Sequence, residues 1–492
     1  MTPALPRPGA LIDLRPIAFV LGRILTVLAA LMLIPAAVDY AAGSPNAGAL
    51  LESALYTGFV GILIAISTRN ALGRGLEVRQ AYLLTAAIWT IVPLFGALPL
   101  MLGAPQLGLT DAYFEAVSGI TTTGATVIVG LDALPAGANL WRGMLNWTGG
   151  LGIAFVAMIF LPVMRVGGMQ FFRTEGFDTF GKILPRATDI ARQLVFAYAA
   201  LTALCILTYA TLGMTPLDAI VNGLGTISTG GFSSKDAPFS DYRGGPEYAA
   251  TLFMILATLP YVRYIQLLSG QTRPLLGDPQ VLGYLRILLV SVLAVTLWRL
   301  ATSSMEIEPA FRETLFNLTA IASGTAYFSG TFGSWEGFSM IVAFILGLIG
   351  GCSGSPTGGL TVFRVQVTIQ AIAAQIRLIH HPSRVLPVRY DGRRVEDDVV
   401  DAIMLYVTGY VVTLGVLSVA MTLTGLDLQS AVFGIWTSLG NIGYTYGPVA
   451  IRTGTFVDFS TAAKWIMILA MIMGRLGLLT LFVLVLPRFW LR

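Results

Sequence analysis

Long apolar runs follow one another along the chain, separated by short polar connections. About ten of them approach the roughly 20 residues that an α-helix needs to cross a bilayer core. They cover residues 17–41, 47–68, 80–103, 141–164, 190–212, 248–270, 281–302, 336–371, 399–424 and 460–487. The pattern therefore predicts an all-α polytopic membrane protein with about ten transmembrane helices.

Four of the connections repeat one unit. Each contains an apolar segment of roughly ten residues, which is too short to cross a membrane, followed by a polar run with glycine. The units are "LTDAYFEAVSGITTTGATV" (109–127), "TPLDAIVNGLGTISTGGFS" (215–233), "EPAFRETLFNLTAIASGTAYFSG" (308–330) and "LDLQSAVFGIWTSLGNIGYTYG" (426–447). Since each lies between two long runs, we predict four helix–pore-loop–helix pseudo-repeats around a central pore.

The repeats divide the chain into five parts. We expect an N-terminal two-helix segment (1–79) and then pore repeats at 80–165, 188–271, 281–372 and 396–492. The short segments should begin at capping residues: Thr110 with Asp111, Thr215 with Pro216, Glu308 with Pro309, and Asp427.

The loops suit a cation. Irregular backbone at membrane depth is tolerated only inside protein or along a water-filled cavity, so four such loops should line a pore. The short helices would point their partially negative C-terminal ends at its centre. The loops offer hydroxyl and carbonyl oxygens but no carboxylate, which favours a weakly hydrated monovalent ion such as K⁺.

Composition and charge support a membrane location. The chain is 55% hydrophobic and 11% charged, and its mean hydropathy is +0.77. Its net charge of +4 reflects basic connections that fall on one side if the spans alternate. We assign that side and both termini to the cytoplasm, and expect contact with the lipid bilayer rather than nucleic acid. These cations are Arg69, Arg74, Arg79, Arg165, Arg173, Lys182, Arg186, Arg377, Arg384, Arg389, Arg393 and Arg394.

Several ordered motifs resemble one family. The stretches "SGITTTGATV", "TISTGGFSSKDA", "GGCSGSPTGGLTVFR" and "GRLGLLTLFVLVLPRFW" resemble the membrane subunit of the Trk/Ktr/HKT superfamily of potassium transporters, most closely the Trk type. The resemblance implies K⁺ uptake across the plasma membrane, which in this case is the inner membrane of a bacterium. Rb⁺ and Na⁺ are further candidate ions. It also implies a homodimer, a peripheral cytoplasmic nucleotide-binding regulatory subunit and no covalently bound cofactor.

The resemblance implies two groups of site residues. The K⁺ filter would be formed by Thr122, Thr123, Gly124, Ser228, Thr229, Gly230, Gly324, Thr325, Ala326, Asn441, Ile442 and Gly443. The gate would be an intramembrane loop at 350–359 with the intramembrane Arg475, as an electrostatic barrier or latch. The loop residues are Gly351, Cys352, Ser353, Gly354, Ser355, Pro356, Thr357, Gly358 and Gly359.

Some positions depart from the family pattern. Ala326 stands where a filter glycine is expected, and we expect this loop to do without the left-handed conformation or to select K⁺ less strictly. Tyr444 and Thr445 replace a common Pro-Gly, Thr361 a frequent Lys, and Gly477 the Glu of a "GRLE" motif. These departures bear on selectivity and gating more than on the fold.

Three functions remain open from the sequence. The first is gated K⁺ uptake, and the second is a cation pathway with relaxed K⁺/Na⁺ selectivity or ion-coupled symport. The third is a non-conducting membrane assembly subunit. An enzyme is disfavoured because there is no HExxH motif, no Ser/His/Asp set and only 2 histidines. The two cysteines, Cys205 and Cys352, form no metal-ligand spacing.

Overall fold

The computed structural model describes residues 12–71, 77–155, 187–271, 273–381, 383 and 386–490. In these residues the fold is helical apart from one short β-hairpin, with strands β1 (Arg389–Tyr390) and β2 (Arg393–Arg394). The helices are α1 (Arg15–Ala41), α2 (Asn46–Ser67), α3 (Val78–Gly96), α4 (Leu98–Leu102), α5 (Leu109–Ile120), α6 (Ala136–Phe155), α7 (Ala187–Thr211), α8 (Pro216–Ile227), α9 (Gly245–Ala257), α10 (Tyr261–Leu268), α11 (Arg273–Leu276), α12 (Pro279–Thr302), α13 (Ile307–Ser323), α14 (Gly337–Ile349), α15 (Val362–His380), α16 (Asp397–Thr422), α17 (Leu428–Leu439), α18 (Thr461–Leu476), α19 (Leu478–Val485) and α20 (Pro487–Trp490).

The predicted polytopic all-α architecture is confirmed. Within the described residues, 7 helices are long and apolar enough to cross a membrane. They are α1, α2, α3 with α4, α7, α12, α15 and α16. The pair α9 and α10 passes the same test together, but its two halves meet at 90°.

The N-terminal helices form a tight hairpin that joins the rest of the bundle. A Cβ built on Gly22 would lie 2.8 Å from the carbonyl oxygen of Gly61, so only glycine lets α1 and α2 approach this closely. At the end of α1, the buried Asp39 accepts hydrogen bonds from Asn46 Nδ2 (2.7 Å) and the Gly137 amide (2.6 Å). These bonds fix the hairpin to α6.

Three predicted spans are broken helices, and the break within 336–371 was expected from its intramembrane loop. Span 248–270 turns between α9 and α10, where Pro260 removes a backbone donor. Span 336–371 divides into α14 and α15 around the glycine-rich stretch, and α15 continues to His380. Span 460–487 divides at Gly477, whose φ of 73° lies in the left-handed region. Span 141–164 begins earlier, at Ala136, and its part beyond Phe155 lies outside the described residues.

Some of the predicted basic connections also lie outside the described residues, namely Arg74, Arg165, Arg173, Lys182, Arg186 and Arg384. His380 and His381 are exposed at the end of α15. Cys205 and Cys352 are both buried free thiols.

Each predicted short segment is a helix that stops in the polar run after it: α5, α8, α13 and α17. Two predicted caps are confirmed, because Thr215 accepts from the Asp218 amide (3.2 Å) and Asp427 from the Ser430 amide (3.0 Å). The other two are wrong. Helix α5 begins after Gly108 and α13 after Glu306, neither with a side-chain cap.

Candidate functional site

The four polar runs after the short helices share one backbone pattern. In each, two residues separated by one position have positive φ. The pairs are Thr122 (47°) and Gly124 (79°), Thr229 (54°) and Gly231 (72°), Gly324 (74°) and Ala326 (49°), and Asn441 (49°) and Gly443 (93°). We call these four three-residue segments loops 1 to 4: residues 122–124, 229–231, 324–326 and 441–443.

The same register follows from the hydrogen bonds that end the short helices. The amides of Thr123 and Gly124 both donate to Ser118, and those of Gly230 and Gly231 both donate to Gly225. Gly231 is therefore the counterpart of Gly124. The predicted set for loop 2, Ser228 to Gly230, is displaced by one residue, because two adjacent glycines leave the register of "STGG" ambiguous in the sequence.

The four loops contact one another in a closed ring. A Cβ built on Gly124 would overlap the carbonyl oxygen of Gly230, and one on Gly231 would overlap that of Thr325. Likewise, a Cβ on Gly443 would overlap the carbonyl oxygen of Thr123. Loop 3 meets loop 4 through Gly324, where a Cβ would lie 3.1 Å from the Asn441 oxygen. Each loop thus touches both neighbours, and the predicted arrangement around one axis is present.

The ring presents oxygen atoms without protein donors. The middle residues of the loops have carbonyl oxygens that accept no hydrogen bond from any residue the structure describes: Thr123, Gly230, Thr325 and Ile442. Hydroxyl groups stabilise the loops behind them, since the Oγ atoms of Ser323 and Thr325 lie 2.8 Å apart. The equivalent hydroxyls of Thr121 and Thr123 are also 2.8 Å apart. Carbonyl oxygens held in this way can replace the water around a desolvated cation.

Loop 1 is held by a buried ion pair. Glu115 on α5 lies 2.9 Å from Arg142 on α6, and both side chains are almost fully buried. Glu115 also accepts from the Val127 amide (3.0 Å), which fixes the chain leaving loop 1. Arg142 also donates to the carbonyl oxygen of Ser233 (2.8 Å), two residues after the end of loop 2. Glu115 therefore has a structural role, and its partner Arg142 joins two repeats.

Loop 3 is held at the equivalent position by a neutral side chain. Asn317 on α13 accepts from the Ser329 amide (3.0 Å) and donates to the Ser329 carbonyl oxygen (3.0 Å). A separate ion pair joins Arg299 on α12 to Glu313 on α13 (3.0 Å). The Ser329 hydroxyl also donates to the buried Glu247, which pairs with Arg312. The two loops therefore differ in the residue at this one position, and both have an ion pair nearby.

Two small cavities flank the ring. One, of about 60 Å³, is lined by the last residues of the loops, Gly124, Gly231, Ala326 and Gly443. The other, of about 70 Å³, is lined by the glycine-rich stretch 352–359, Arg364 and Arg475. Since this stretch contacts the beginning of loops 3 and 4 through Gly358, the cavities lie on opposite sides of the ring.

The stretch 350–361 is irregular backbone packed inside the bundle. Its residues between Gly351 and Pro356 are buried except for the half-buried Gly354. The Cys352 amide donates to Thr258 at the break between α9 and α10 (3.2 Å), and Gly354 accepts from the Tyr261 amide (3.1 Å). A Cβ on Gly358 would overlap the carbonyl oxygen of Gly440, directly before loop 4. The stretch thus closes the bundle beneath the ring.

Arg475 joins this stretch to loop 1. Its side chain is 8% exposed, and it donates to the carbonyl oxygen of Pro356 (2.6 Å). It also donates to the carbonyl oxygens of Thr121 and Thr122 and to the Thr122 hydroxyl. A guanidinium with its donors used in this way cannot reach the membrane surface. The Arg475 side chain is therefore held inside the bundle.

The departures from the family pattern have distinct surroundings. Ala326 adopts the left-handed conformation that we expected it to avoid, with φ of 49°. Thr361 also has positive φ (73°) and bonds through its hydroxyl to Ser353 (2.8 Å). Tyr444 is buried against Phe332, with ring centroids 4.6 Å apart. Thr445 lines the cavity of about 60 Å³.

Among the buried cations that the sequence interpretation missed are Arg142 and Arg364. Arg364 lies at the start of α15 beside Thr361, with its guanidinium 4.1 Å from the Tyr406 ring centre. Each stands in a predicted apolar span, and an intramembrane arginine usually faces protein or water. That signal was available for both.

Comparison with known proteins agrees with this geometry. The sequence profile of the TrkH family, described as "Cation transport protein", matches residues 54–490. The chain belongs to the TrkH family. This member is 37% identical to the Trk system potassium uptake protein TrkI of Halomonas elongata over 485 residues, covering 96% of each chain. It is 31% identical to TrkH of Escherichia coli K12, covering 97% of this chain and 99% of the relative.

A solved structure of the TrkH family has the same architecture. The crystal structure of the potassium transporter TrkH from Vibrio parahaemolyticus superimposes with a TM-score of 0.90 at 29% sequence identity. The match covers 97% of this chain and 100% of that one.

Proposed function

We propose that this chain transports K⁺ across the membrane through the ring formed by loops 1 to 4. The observation that carries the proposal is the closed ring itself, in which four carbonyl oxygens without a donor among the described residues lie between two cavities. Neutral oxygens bind a weakly hydrated monovalent cation and still release it. The names of the relatives, potassium uptake proteins, support the same ion.

The ion-binding residues proposed here follow the structural register. They are the predicted residues of loops 1, 3 and 4, together with Thr229, Gly230 and Gly231 in loop 2. Ser228 then belongs to the end of α8, where its hydroxyl donates to the Leu224 carbonyl oxygen (2.7 Å). Backbone oxygens make the main contacts with the ion, because several loop side chains turn to hydrogen bonds within the protein.

The proposed gate is the stretch 350–361 with Arg475. The stretch fills the path beneath the ring, and Arg475 places a positive charge beside loop 1. A cation leaving the ring would meet that charge at close range, where the low dielectric of the interior strengthens the repulsion. Opening therefore requires the stretch and Arg475 to move together, since one hydrogen bond joins them.

A second candidate function, transport with relaxed K⁺/Na⁺ selectivity, is favoured by Ala326. At the third position of the other loops, a Cβ would overlap a carbonyl oxygen of the next loop. Ala326 carries such a Cβ, and non-bonded carbon and oxygen atoms need about 3.3 Å or more. Loops 3 and 4 must therefore stand farther apart, which weakens the fit to one ion size.

The remaining assignments are part of the same proposal. The repeats extend over 80–165, 188–271, 281–372 and 396–492 after the N-terminal segment 1–79. The side that carries the basic connections faces the cytoplasm, and the membrane is a bacterial inner membrane. A homodimer and a peripheral nucleotide-binding regulatory subunit are proposed from family membership.

Growth at low K⁺ tests the function. A bacterial host that lacks its own K⁺ uptake systems should grow at micromolar K⁺ when it expresses this chain. An empty vector provides the baseline, and a membrane-fraction blot confirms expression. If the chain is folded in the membrane and gives no growth advantage, K⁺ transport is excluded as its independent activity.

A further inference from the structure

A groove lies at the end of the bundle opposite the short helices. It has a volume of about 430 Å³ and runs between α12 and α15, bordered by the hairpin of β1 and β2. Its walls include Leu282, which is 39% exposed, and Ile369, which is 61% exposed. Both helices are long and apolar enough to span a membrane, so this apolar part of the groove opens toward lipid rather than water.

The polar part of the groove carries two arginines. Arg286 on α12 and Arg389 on β1 both line it and are both exposed. Neither forms an ion pair with any residue that the structure describes. Among the lining residues that the structure describes, the one carboxylate is Asp391, which is exposed at the turn of the hairpin. The groove therefore has an excess of positive charge.

The hairpin holds Arg389 in a defined position. Tyr390 next to it is 5% exposed and packs edge-on against Phe363, with ring centroids 4.9 Å apart. On the other strand, Arg394 pairs directly with Arg389 and forms an exposed ion pair with Asp397 (3.4 Å), which offsets part of its charge. Two like charges opposite each other destabilise a hairpin, and an anion between them and the bundle would relieve that repulsion.

The floor of the groove offers a hydrogen-bond acceptor. Gln366 on α15 donates through Nε2 to the Pro279 carbonyl oxygen (3.0 Å). Its Oε1 atom has no partner among the described residues. Gly283 makes this contact possible, because a Cβ there would overlap the Gln366 amide. The Oε1 atom is buried, so a ligand hydroxyl reaches it when the Gln366 amide turns toward the groove.

We propose that this groove binds an anionic phospholipid with a hydroxylated headgroup, such as phosphatidylglycerol. The phosphate lies at Arg286 and Arg389, a headgroup hydroxyl donates to Gln366, and an acyl chain packs along Leu282 and Ile369. Basic pockets between transmembrane helices are suited to such headgroups. A water-soluble anion would leave the apolar wall unused, so the whole groove fits a lipid best. This inference goes beyond the proposed transport function.

Lipid retention provides the direct test. The full-length protein is purified in mild detergent with equal amounts of phosphatidylglycerol and phosphatidylcholine, and bound lipid is counted by native mass spectrometry. We expect selective retention of phosphatidylglycerol. Each Arg→Gln substitution at Arg286 or Arg389 should weaken it roughly fivefold, and both together about thirtyfold. Equal retention by the wild type and the double variant would overturn the proposal.

Matched variants separate the groove from general surface charge and apolarity. Arg393→Gln removes a hairpin arginine that does not line the groove, and Ile372→Gln removes an exposed isoleucine of α15 that does not line it either. Both should retain the lipid, whereas Ile369→Gln should lose it. Losses of equal size in groove and control variants would show non-specific attraction and contradict the site.

Two further arms define the ligand. Millimolar inorganic phosphate should not displace the lipid, and displacement at that concentration would identify a phosphate site instead. Thermal unfolding of each variant checks that it remains folded. The readout is bound lipid, so the proposal can fail while transport is intact, and transport can fail while the lipid remains bound.

Discussion

Loops 1 and 3 both have positive φ at their first and third residues, but their glycine lies at opposite ends. Loop 1 has Thr122 first and Gly124 last, whereas loop 3 has Gly324 first and Ala326 last. Each thus forces one residue with a Cβ into the left-handed region, at a cost of about 1 kcal/mol or more. In loop 1 that residue accepts a hydrogen bond from Arg475, and in loop 3 it lines the cavity of about 60 Å³. The ring tolerates one strained residue per loop, and the position of that residue decides what it affects.

The residues that hold loops 1 and 3 in place also differ. Loop 1 depends on the buried charges of Glu115 and Arg142 and is also bound by Arg475. Loop 3 has the neutral Asn317 at the position of Glu115, and its charged groups, Glu247 with Arg312, lie one step farther out, at the Ser329 hydroxyl. At this one position, loop 1 therefore depends on a buried charge and loop 3 does not.

The largest effect is expected when a Cβ is added where two loops touch. Gly231→Ala would place a methyl group against the Thr325 carbonyl oxygen and push loops 2 and 3 apart. We expect growth at low K⁺ to be lost and uptake to fall more than roughly tenfold, because packed interiors do not absorb such an overlap.

Gly213→Ala is the matched control. Gly213 also has positive φ (93°), but a Cβ there would meet open space. It bears the conformational cost without the overlap, so uptake should persist. Similar losses in both variants would mean that backbone strain, rather than contact within the ring, explains the result.

The next effect separates the two supports. Glu115→Ala leaves Arg142 buried without its carboxylate, and we expect the free energy of unfolding to fall by about 3–5 kcal/mol. Asn317→Ala removes neutral hydrogen bonds and should cost about 1–3 kcal/mol. Thermal unfolding in detergent measures both, and equal losses would contradict the contrast between loops 1 and 3.

A smaller effect is expected from the contact that only loop 1 makes. Arg475→Ala removes the positive charge beneath the ring and the bond to Pro356. We expect a several-fold increase in uptake without any regulatory subunit, measured as ⁸⁶Rb⁺ entry into proteoliposomes. Arg475→Lys keeps the charge but not the planar donor set, so its uptake should lie between that of the wild type and that of Arg475→Ala. Unchanged uptake in Arg475→Ala would exclude a barrier role.

The smallest effect concerns Ala326. Ala326→Gly relieves a left-handed alanine and lets loops 3 and 4 approach, so stability should rise by about 1 kcal/mol. The K⁺/Na⁺ permeability ratio should rise about fivefold, which corresponds to roughly 1 kcal/mol of discrimination. A ratio equal to that of the wild type would show that this methyl group does not influence selectivity.

The sequence predicted the repeats because their physical signals are local. An apolar segment too short to cross a membrane, followed by hydroxyls and glycine, is visible four times without a structure. The register of loop 2 could not be predicted, since Gly230 and Gly231 are equally able to turn the chain. The positive φ of Gly231 and the hydrogen bonds to Gly225 distinguish them.

Other features depended on long-range contacts. The breaks at Pro260 and Gly477 left their signals in the sequence, but the packing of the stretch 350–361 against the first of them did not. The pairing of Glu115 with Arg142 joins residues 27 positions apart, and composition cannot show which buried charges meet. That Ala326 adopts the left-handed conformation follows from its neighbours in the ring rather than from its own preference.

Ion competition in proteoliposomes tests the central claim most directly. Purified protein is reconstituted, and ⁸⁶Rb⁺ uptake is measured against equal concentrations of external K⁺ or Na⁺, in the wild type and in Gly231→Ala. The ring predicts uptake that K⁺ suppresses strongly and Na⁺ only weakly, and that Gly231→Ala abolishes. Uptake that persists in a folded Gly231→Ala variant with the same ion preference would show that the ion does not pass through this ring.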